Sequence, residues 1–264
     1  MKPFLKRIYK TSVAYGFDPR LLLIMLRAKG NRTFENDKKE FLRQKGSDSN
    51  FKWGRLYPML IETHDQGGTM KGDYFHQDLY VAQQIYKANP EKHLDIGSRT
   101  DGFVAHVASF REIELIDIRP IYSQVKNIIF RQADLMHLPE DLRNYCDSVS
   151  SLHAIEHFGL GRYGDPIDYT GHLKGIDNIA QILKKGGTFY FSVPIGPQRI
   201  EFNAHRVFSL EYLMRILSPN FIIQSFSYVN DVGDLIEKAE LTEQSVQSNF
   251  SCWYGCGIFT LVKQ

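Results

Sequence analysis

Three acidic residues and a glycine turn stand in an order that suits a nucleoside ligand. Asp95-Ile96-Gly97-Ser98-Arg99-Thr100-Asp101-Gly102 reads as a strand end, a turn and a helix start. That is where an open α/β sheet binds its ligand. Its glycines fall at the first and third places of G-x-G-x-x-G, with Arg99 at the second. A glycine at the second place lets backbone approach a pyrophosphate closely, so an arginine there argues against a dinucleotide. A ligand without phosphates does not need that glycine. S-adenosylmethionine is such a ligand, adenosine joined to a cationic methionyl group. Asp95 would lie near its ammonium and sulfonium, where a carboxylate compensates positive charge. Asp117 comes 22 residues later, close to the ~20-residue spacing at which a carboxylate accepts ribose hydroxyls. Asp134 would accept from the adenine amino group. Gly97, Ser98, Arg99, Ile118, Leu135 and His153 complete the expected cofactor contacts, with Tyr74 closing from the N-terminal side.

A second cluster follows the fourth predicted strand: Glu156, His157, Asp165, Asp168 and His172. Were such a ligand to give up its methyl group, the step would be an in-line displacement at carbon, which needs a positioned acceptor, a dry site and often a base. A histidine near its ordinary pKa of ~6.5 suits the proton transfer. The candidates are His157 first, then His172 and His205, with Glu156 beside them. His205-Arg206 could instead bind an anionic group on the acceptor, or Arg206 could clasp a loop. His153-Ala154-Ile155-Glu156-His157 also spells H-x-x-E-H, an inverted zinc-peptidase motif. On a helix, His153 and His157 would share a face, but here the motif starts at a strand end and glycines follow it. Asp165, Asp168 and His172 could alternatively hold magnesium. No metal is assigned.

The elements that must position these residues alternate from residue 91 onward. Strands are expected at His93–Gly97, Glu112–Asp117, Val125–Asp134, Asp147–Leu152, Thr188–Val193, Phe221–Tyr228 and Tyr254–Val262. Pro194 is expected to stop the fifth. Helices are expected at Phe103–Phe110, Gly175–Leu183 and Leu210–Leu217, the second closed by Lys184-Lys185-Gly186-Gly187 and the third capped by Ser209. Alternating strands and helices imply a parallel sheet wrapped by helices. Residues 1–90 read as a helical extension. Phe4, Leu5, Ile8, Tyr9 and Val13 follow helical spacing, Asp18-Pro19 starts a second helix, and Asp78–Ala88 forms another. Tyr74 or His76, just before the nucleotide-binding half, is expected to reach the cofactor as a lid. Phe51, Trp53 and Tyr57 are read as core packing, with stacking on a sugar or base as the alternative.

Composition narrows the class. The chain has 264 residues, 43% hydrophobic and 23% charged, which is ordinary for a globular protein. Three cysteines make no disulfide framework. The longest apolar run, Leu21–Leu26, is too short to span a bilayer, and the N-terminus lacks the pattern of a signal peptide. A cytoplasmic location is expected. Net charge is +2, yet residues 1–60 carry 14 Lys+Arg against 5 Asp+Glu. A basic N-terminal portion on an acidic body could dock an anionic partner.

From residue 90 to the C-terminus the chain resembles the class I S-adenosylmethionine-dependent methyltransferases. Leu94-Asp95-Ile96-Gly97 is similar to their first motif, and Leu115-Ile116-Asp117-Ile118-Arg119-Pro120 to their second-strand motif. Ser151-Leu152-His153-Ala154-Ile155-Glu156-His157 resembles the fourth-strand motif. Leu183-Lys184-Lys185-Gly186-Gly187-Thr188-Phe189-Tyr190 is similar to the lead into the fifth strand. Arg99 and Asp101 depart from it, standing where the family usually has glycines. Three stretches resemble the narrower DUF268 branch: residues 72–78, 158–165 and 202–208. The resemblance implies a Rossmann-like doubly wound α/β sheet of seven strands over residues 91–264, preceded by the N-terminal helical extension of residues 1–90. It implies methyl transfer from S-adenosyl-L-methionine to oxygen or nitrogen of a small polar acceptor, such as a sugar or phosphorylated precursor in surface-polysaccharide biosynthesis. Two alternatives stand beside it: a catalytically degenerate partner protein and an RNA methyltransferase. The acidic balance of the C-terminal body opposes the second, since RNA binding needs basic surface. A homo-oligomer is compatible with either.

Overall fold

The computed structural model describes residues 32–59 and 67–264, and the chain divides into two compact units between Thr69 and Met70. The helices expected within residues 1–29 lie outside the described residues. In the first unit, α1 (Arg32–Lys45) is followed by extended chain. Phe51, Trp53 and Tyr57 are all exposed there, so core packing does not account for them.

The second unit opens with α2 (Asp73–Ala88). This helix starts five residues before the expected Asp78 and belongs to the unit of the sheet. Next come β1 (His93–Ile96), a helical stretch with a π-turn at Thr100–Val104 continuing as α3 (Ala105–Ala108), β2 (Ile113–Asp117) and β3 (Ile128–Gln132). Then follow β4 (Cys146–Leu152), α4 (Gly171–Ile182) and β5 (Leu183–Ile195). A short hairpin, β6 (Arg199–Glu201) and β7 (His205–Val207), precedes α5 (Leu210–Leu217). The chain ends with β8 (Phe221–Val229), β9 (Leu235–Ile236), α6 (Glu243–Gln247) and β10 (Gly255–Lys263).

The main sheet has the order β3-β2-β1-β4-β5-β10-β8-β9. The first five strands in this order are parallel, and β10, β8 and β9 join antiparallel. The order reverses between β1 and β4, which opens a crevice at their C-terminal ends. Seven of the eight strands are those the sequence marks. The eighth, β9, has two residues, too short to carry an alternating pattern.

Alternation along the strands sends side chains to two cores. Leu94, Ile96, Val149, Phe189 and Phe191 pack beneath α4 and α5, while Leu115, Leu152, Tyr190 and Ile258 pack against α2 and the Phe103–Val107 helical stretch. Ser209 caps α5 as expected, its side chain accepting from the Tyr212 amide. Two boundaries differ from the sequence reading. Helix α4 begins at Gly171, where any Cβ would collide with the Met136 sulfur and the Phe158–Gly159 backbone. Strand β5 runs through Pro194, which lies two residues past the last pairing with β4 at Ser192 and one residue from the strand end, where a missing N–H is tolerated; its carbonyl receives the Phe208 amide. No helix among the described residues is long and apolar enough to cross a membrane.

Candidate active site

The crevice at the strand ends is a cleft of about 620 Å³. Its floor is built by the turn after β1. Gly97 adopts φ +71°, and a Cβ there would stand 3.0 Å from the Ala154 Cβ. A side chain is excluded on both counts, so the backbone itself forms the wall of the cleft.

Asp95 anchors that turn from below. Its Oδ1 accepts from the Ser98 amide at 3.0 Å, and its Oδ2 from the Ser98 hydroxyl at 2.7 Å and from the Ser150 hydroxyl. Ser98 Oγ in turn accepts the Leu152 amide at 3.0 Å, tying β1 to β4. The network continues to His93, whose ring nitrogens lie 2.8 Å from Ser148 Oγ and 3.1 Å from Ser150 Oγ. Because Ser150 donates to Asp95, it accepts from His93, which assigns the proton to Nε2. Burial pushes His93 down to about 3, so the ring is neutral. Burial also pushes Asp95 up to about 7, against the hydrogen bonds from Ser150 and Ser98. Asp95 is wholly buried and does not line the cleft. The expected direct contact between Asp95 and a cationic ligand is therefore corrected. On β1, Asp95 shares the α2-facing side with His93 and acts by holding Ser98.

The rim is charged and aromatic. Asp117, at the end of β2, lines the cleft, but Arg119 covers its carboxylate. The Arg119 amide and Nε donate to Oδ1 at 2.8 and 3.0 Å, and Nη2 donates to Oδ2 at 2.7 Å. Asp134 accepts from the Met136 amide at 2.9 Å and lies 3.1 Å from His137 Nδ1. Arg99 pairs with Asp101 and stacks over Tyr74, 4.7 Å from its ring centre. The Tyr74 ring stands 5.3 Å from that of His153. Tyr74 thus lines the cleft. His76 does not line it and packs on Phe75 instead.

Beyond β4 the chain makes a short helical turn, Ile155–His157, and not the long helix that a zinc-binding H-x-x-E-H needs. Glu156 is almost completely buried between two histidines. Its Oε1 lies 3.1 Å from His153 Nδ1 and 3.7 Å from His157 Nε2, while Oε2 has no partner among the described residues. Burial pushes the Glu156 carboxyl up, but His153 and His157 outweigh it and hold the group below its ordinary value. Burial likewise opposes a charged His153, and Cys256 and Glu156 overcome it and raise that pKa. The result is a buried ion pair beside a free carboxylate oxygen. His157 Nδ1 donates to the Ala204 carbonyl at 2.7 Å, so the neutral ring carries its lone pair on Nε2. Burial depresses its pKa. A neutral histidine in the cleft wall with its lone pair beside a carboxylate can take a proton and have the new charge compensated.

The remaining candidates separate. His205 lines the cleft near Tyr254, with rings 5.2 Å apart, and burial lowers its pKa. His172 does not line it. Its Nε2 lies 2.7 Å from the Tyr212 hydroxyl, its ring packs near Phe208, and burial pushes it down to about 4. The catalytic expectation for His172 is corrected: helical phase on α4 turns it inward. Arg206 is a clasp and not an anion site. It donates to the carbonyls of Glu156, Phe158 and Tyr169 at 3.2, 2.7 and 3.1 Å. Asp165 is likewise spoken for, accepting from the amides of Gly159, Gly161 and Tyr163. Asp168 is paired with Lys174. This leaves the magnesium alternative without a free carboxylate in that loop. Gly97, Ser98, Arg99, Asp117, Ile118, Asp134, Leu135, His153, Tyr74, Glu156, His157 and His205 do come together in the one cleft.

The sequence reading gave no role to Arg119, Arg162, Tyr163 or Tyr254, all of which line the cleft. Arg119 followed Asp117 closely enough to be suspected as its partner. Tyr254 carried no signal, since only the antiparallel return of β10 brings it here.

Comparison with known proteins agrees with this architecture. No curated protein matches the chain. The 1,6-didemethyltoxoflavin-N1-methyltransferase of Burkholderia thailandensis, crystallised with S-adenosylhomocysteine, superposes with a TM-score of 0.51 at 15% identity, covering 71% of this chain and 78% of that one. A protein of Galdieria sulphuraria described as a sarcosine dimethylglycine methyltransferase gives a TM-score of 0.51 at 14% identity, with 71% and 85% covered. The family described as Caenorhabditis protein of unknown function, DUF268, matches residues 107–252. That span holds β2 to β8, both ends of the Glu156 turn and the Arg206 clasp. On this match the chain belongs to the DUF268 family, and it is built on the Rossmann-like fold of the class I methyltransferases.

Proposed function

We propose that the protein transfers a methyl group from S-adenosylmethionine to oxygen or nitrogen of a small polar acceptor. The observation that carries this reading is the convergence, in one cleft, of the Gly97 turn, the Asp117 carboxylate and the Glu156–His157 pair. The residues fit such a cofactor. The Gly97 cradle has no room for a Cβ, and Glu156 Oε2 is a buried carboxylate oxygen without a partner, suited to a cationic group. Asp117 and Asp134 would hold the ribose and adenine, with Ile118 and Leu135 against the base. When bound, S-adenosylmethionine supplies an electrophilic methyl group on a sulfonium. Around it, Tyr74 and Tyr163 exclude water, and His157 Nε2 receives the acceptor's proton while Glu156 compensates the charge. Within this reading the N-terminal extension, residues 1–90, contributes α2 as a wall of the site. A sugar or phosphorylated precursor of a surface glycan is the acceptor we favour, on the resemblance of the chain and the arginines at the rim.

The alternative, a degenerate partner protein, draws on one observation. Arg99 and Asp101 pair at the lip of the turn, where glycines would leave it open. Calorimetry with S-adenosylmethionine and S-adenosylhomocysteine separates the two. The enzyme reading expects micromolar binding that Asp117→Ala weakens at least about tenfold, the loss of a charge-assisted hydrogen-bond pair. Nucleotide-linked sugars are then the first acceptors to assay. A wild type that binds neither compound leaves the partner-protein reading.

A further inference from the structure

Asp117 cannot serve two guests. A carboxylate offers about four acceptor positions, and Arg119 occupies three of them, two through its guanidinium. About one acceptor position then remains, whereas a ribose diol has two hydroxyls to donate. The Asp117 side chain is only 9% exposed, so it cannot turn elsewhere, whereas that of Arg119 is 48% exposed and can. The Arg119 guanidinium already stacks on Tyr163, a ring it shares with Arg162. Arg119 lies 4.2 Å from the centre of that ring, and Arg162 lies 5.1 Å from the same centre. Tyr163 in turn meets the His157 ring edge to face at 5.3 Å. One aromatic ring therefore joins the nucleoside end of the cleft to the proton-accepting end. Arg162 Nη1 donates to the Ala204 carbonyl at 2.8 Å, and among the described residues no carboxylate pairs with Arg162. A guanidinium has five donors in a planar fork that suits a phosphate.

Resting on the methyltransferase reading above, we infer that Arg119 couples the two ends of the cleft: the cofactor's ribose takes Asp117 from it, and the released guanidinium joins Arg162 in gripping a phosphate group on the acceptor. The cofactor thus prepares the acceptor site, and the acceptor carries a phosphate close to the atom that is methylated. Linkage makes the effect reciprocal, so phosphate must tighten the cofactor by the same factor.

Calorimetry with S-adenosylhomocysteine and inorganic phosphate tests this in the full chain. In wild type, saturating S-adenosylhomocysteine should tighten phosphate several-fold. Arg119→Gln should bind S-adenosylhomocysteine about fivefold more tightly, the worth of one partly exposed ion pair removed from competition, and should lose the coupling. Arg162→Gln should weaken phosphate about tenfold and leave S-adenosylhomocysteine affinity unchanged. S-adenosylhomocysteine binding with phosphate affinity the same in its presence and absence would overturn this inference alone. So would weaker S-adenosylhomocysteine binding by Arg119→Gln. Failure of both wild type and Arg119→Gln to bind S-adenosylhomocysteine overturns the methyltransferase reading, and the coupling falls with it.

Discussion

Asp95 lies one residue before the end of β1 and Asp117 ends its parallel neighbour β2, yet they meet opposite surroundings. Asp95 lies wholly buried in a row of serines and a neutral histidine, and every bond it makes is to the protein's own frame. Asp117 faces the cleft, and its partner is a half-exposed arginine that can leave. The floor of the site is thus a closed hydrogen-bond network, and its rim is a set of exchangeable ion pairs. The physical reason is dielectric. Below the turn an unpaired polar atom costs its full desolvation, so each must be satisfied permanently. At the rim water competes for every charge, so a pair is cheap to break and a ligand can replace one member.

The comparison is easiest to break at Arg206, which belongs to the buried class although it lies beside the cleft. It joins the β6–β7 hairpin to the loop after β4 through three carbonyls. Arg206→Met keeps the stem and removes the donors, leaving buried carbonyls unpaired. The expected loss is about 3 kcal/mol or more, read from the urea midpoint. A midpoint equal to wild type would show that buried and rim arginines do not differ in this way.

Asp95 sharpens the same point through pH. Its folded pKa, about 7, stands above the ordinary carboxylate value because of burial. For a raised group the stabilising contribution is complete below the unfolded value and is lost as pH rises through the folded one. Wild type should therefore lose stability between about pH 4 and pH 7, by on the order of 4 kcal/mol from this group. Asp95→Asn can keep the hydrogen bonds, because serine hydroxyls can both donate and accept. It should flatten that slope and be the more stable protein at pH 8. Asp78, pushed up to about 6 chiefly by burial, remains in both and leaves a smaller residual slope. Parallel pH profiles for the two proteins would mean that Asp95 is ionised without cost.

At Asp117 the expected effect on folding is smaller still and the effect on ligand is large. Asp117→Ala should shift stability by less than about 1 kcal/mol, since the partner it leaves, Arg119, is half exposed and water can take over its donors. The same variant should lose S-adenosylhomocysteine binding. A strongly destabilised Asp117→Ala would place this residue with the floor.

How much of this was legible follows from the range of each signal. Local patterns reveal the parallel strands: β1 alternates apolar and polar residues (His-Leu-Asp-Ile), β4 places Val149 and Leu152 among small polar residues, and β5 carries the nearly apolar stretch Phe189–Val193. The Ser209 cap and the Gly97 turn are equally local. Side-chain direction is less accessible. Asp95 and His172 have suitable types at suitable positions, but strand alternation and helix phase turn both away from the cleft. Long-range closure is not legible at all. Tyr254 arrives through an antiparallel strand more than a hundred residues after β1. The Arg206 clasp depends on three carbonyls in a loop about 40–50 residues away. Carbonyls carry no sequence identity, so nothing in the chain advertises them as partners.

The smallest effect should come from Arg99 and Asp101, the pair that replaces glycines in the turn. Both are largely exposed, with side chains 51% and 72% accessible. The Arg99 guanidinium holds the Asp101 carboxyl below its ordinary range, but in open solvent that preference adds little to folding. In a double-mutant cycle of Arg99→Gln and Asp101→Asn, the coupling should lie within the error of a denaturation curve and shrink further in high salt. The ligand readout should differ. Arg99 also stacks on Tyr74 at 4.7 Å, so Arg99→Gln frees the aromatic wall on that side of the cleft. A cofactor bound against Tyr74 would then show an altered affinity with no change in stability. A coupling as large as that of Arg206 would end the division between floor and rim, because a solvated pair would be holding the fold.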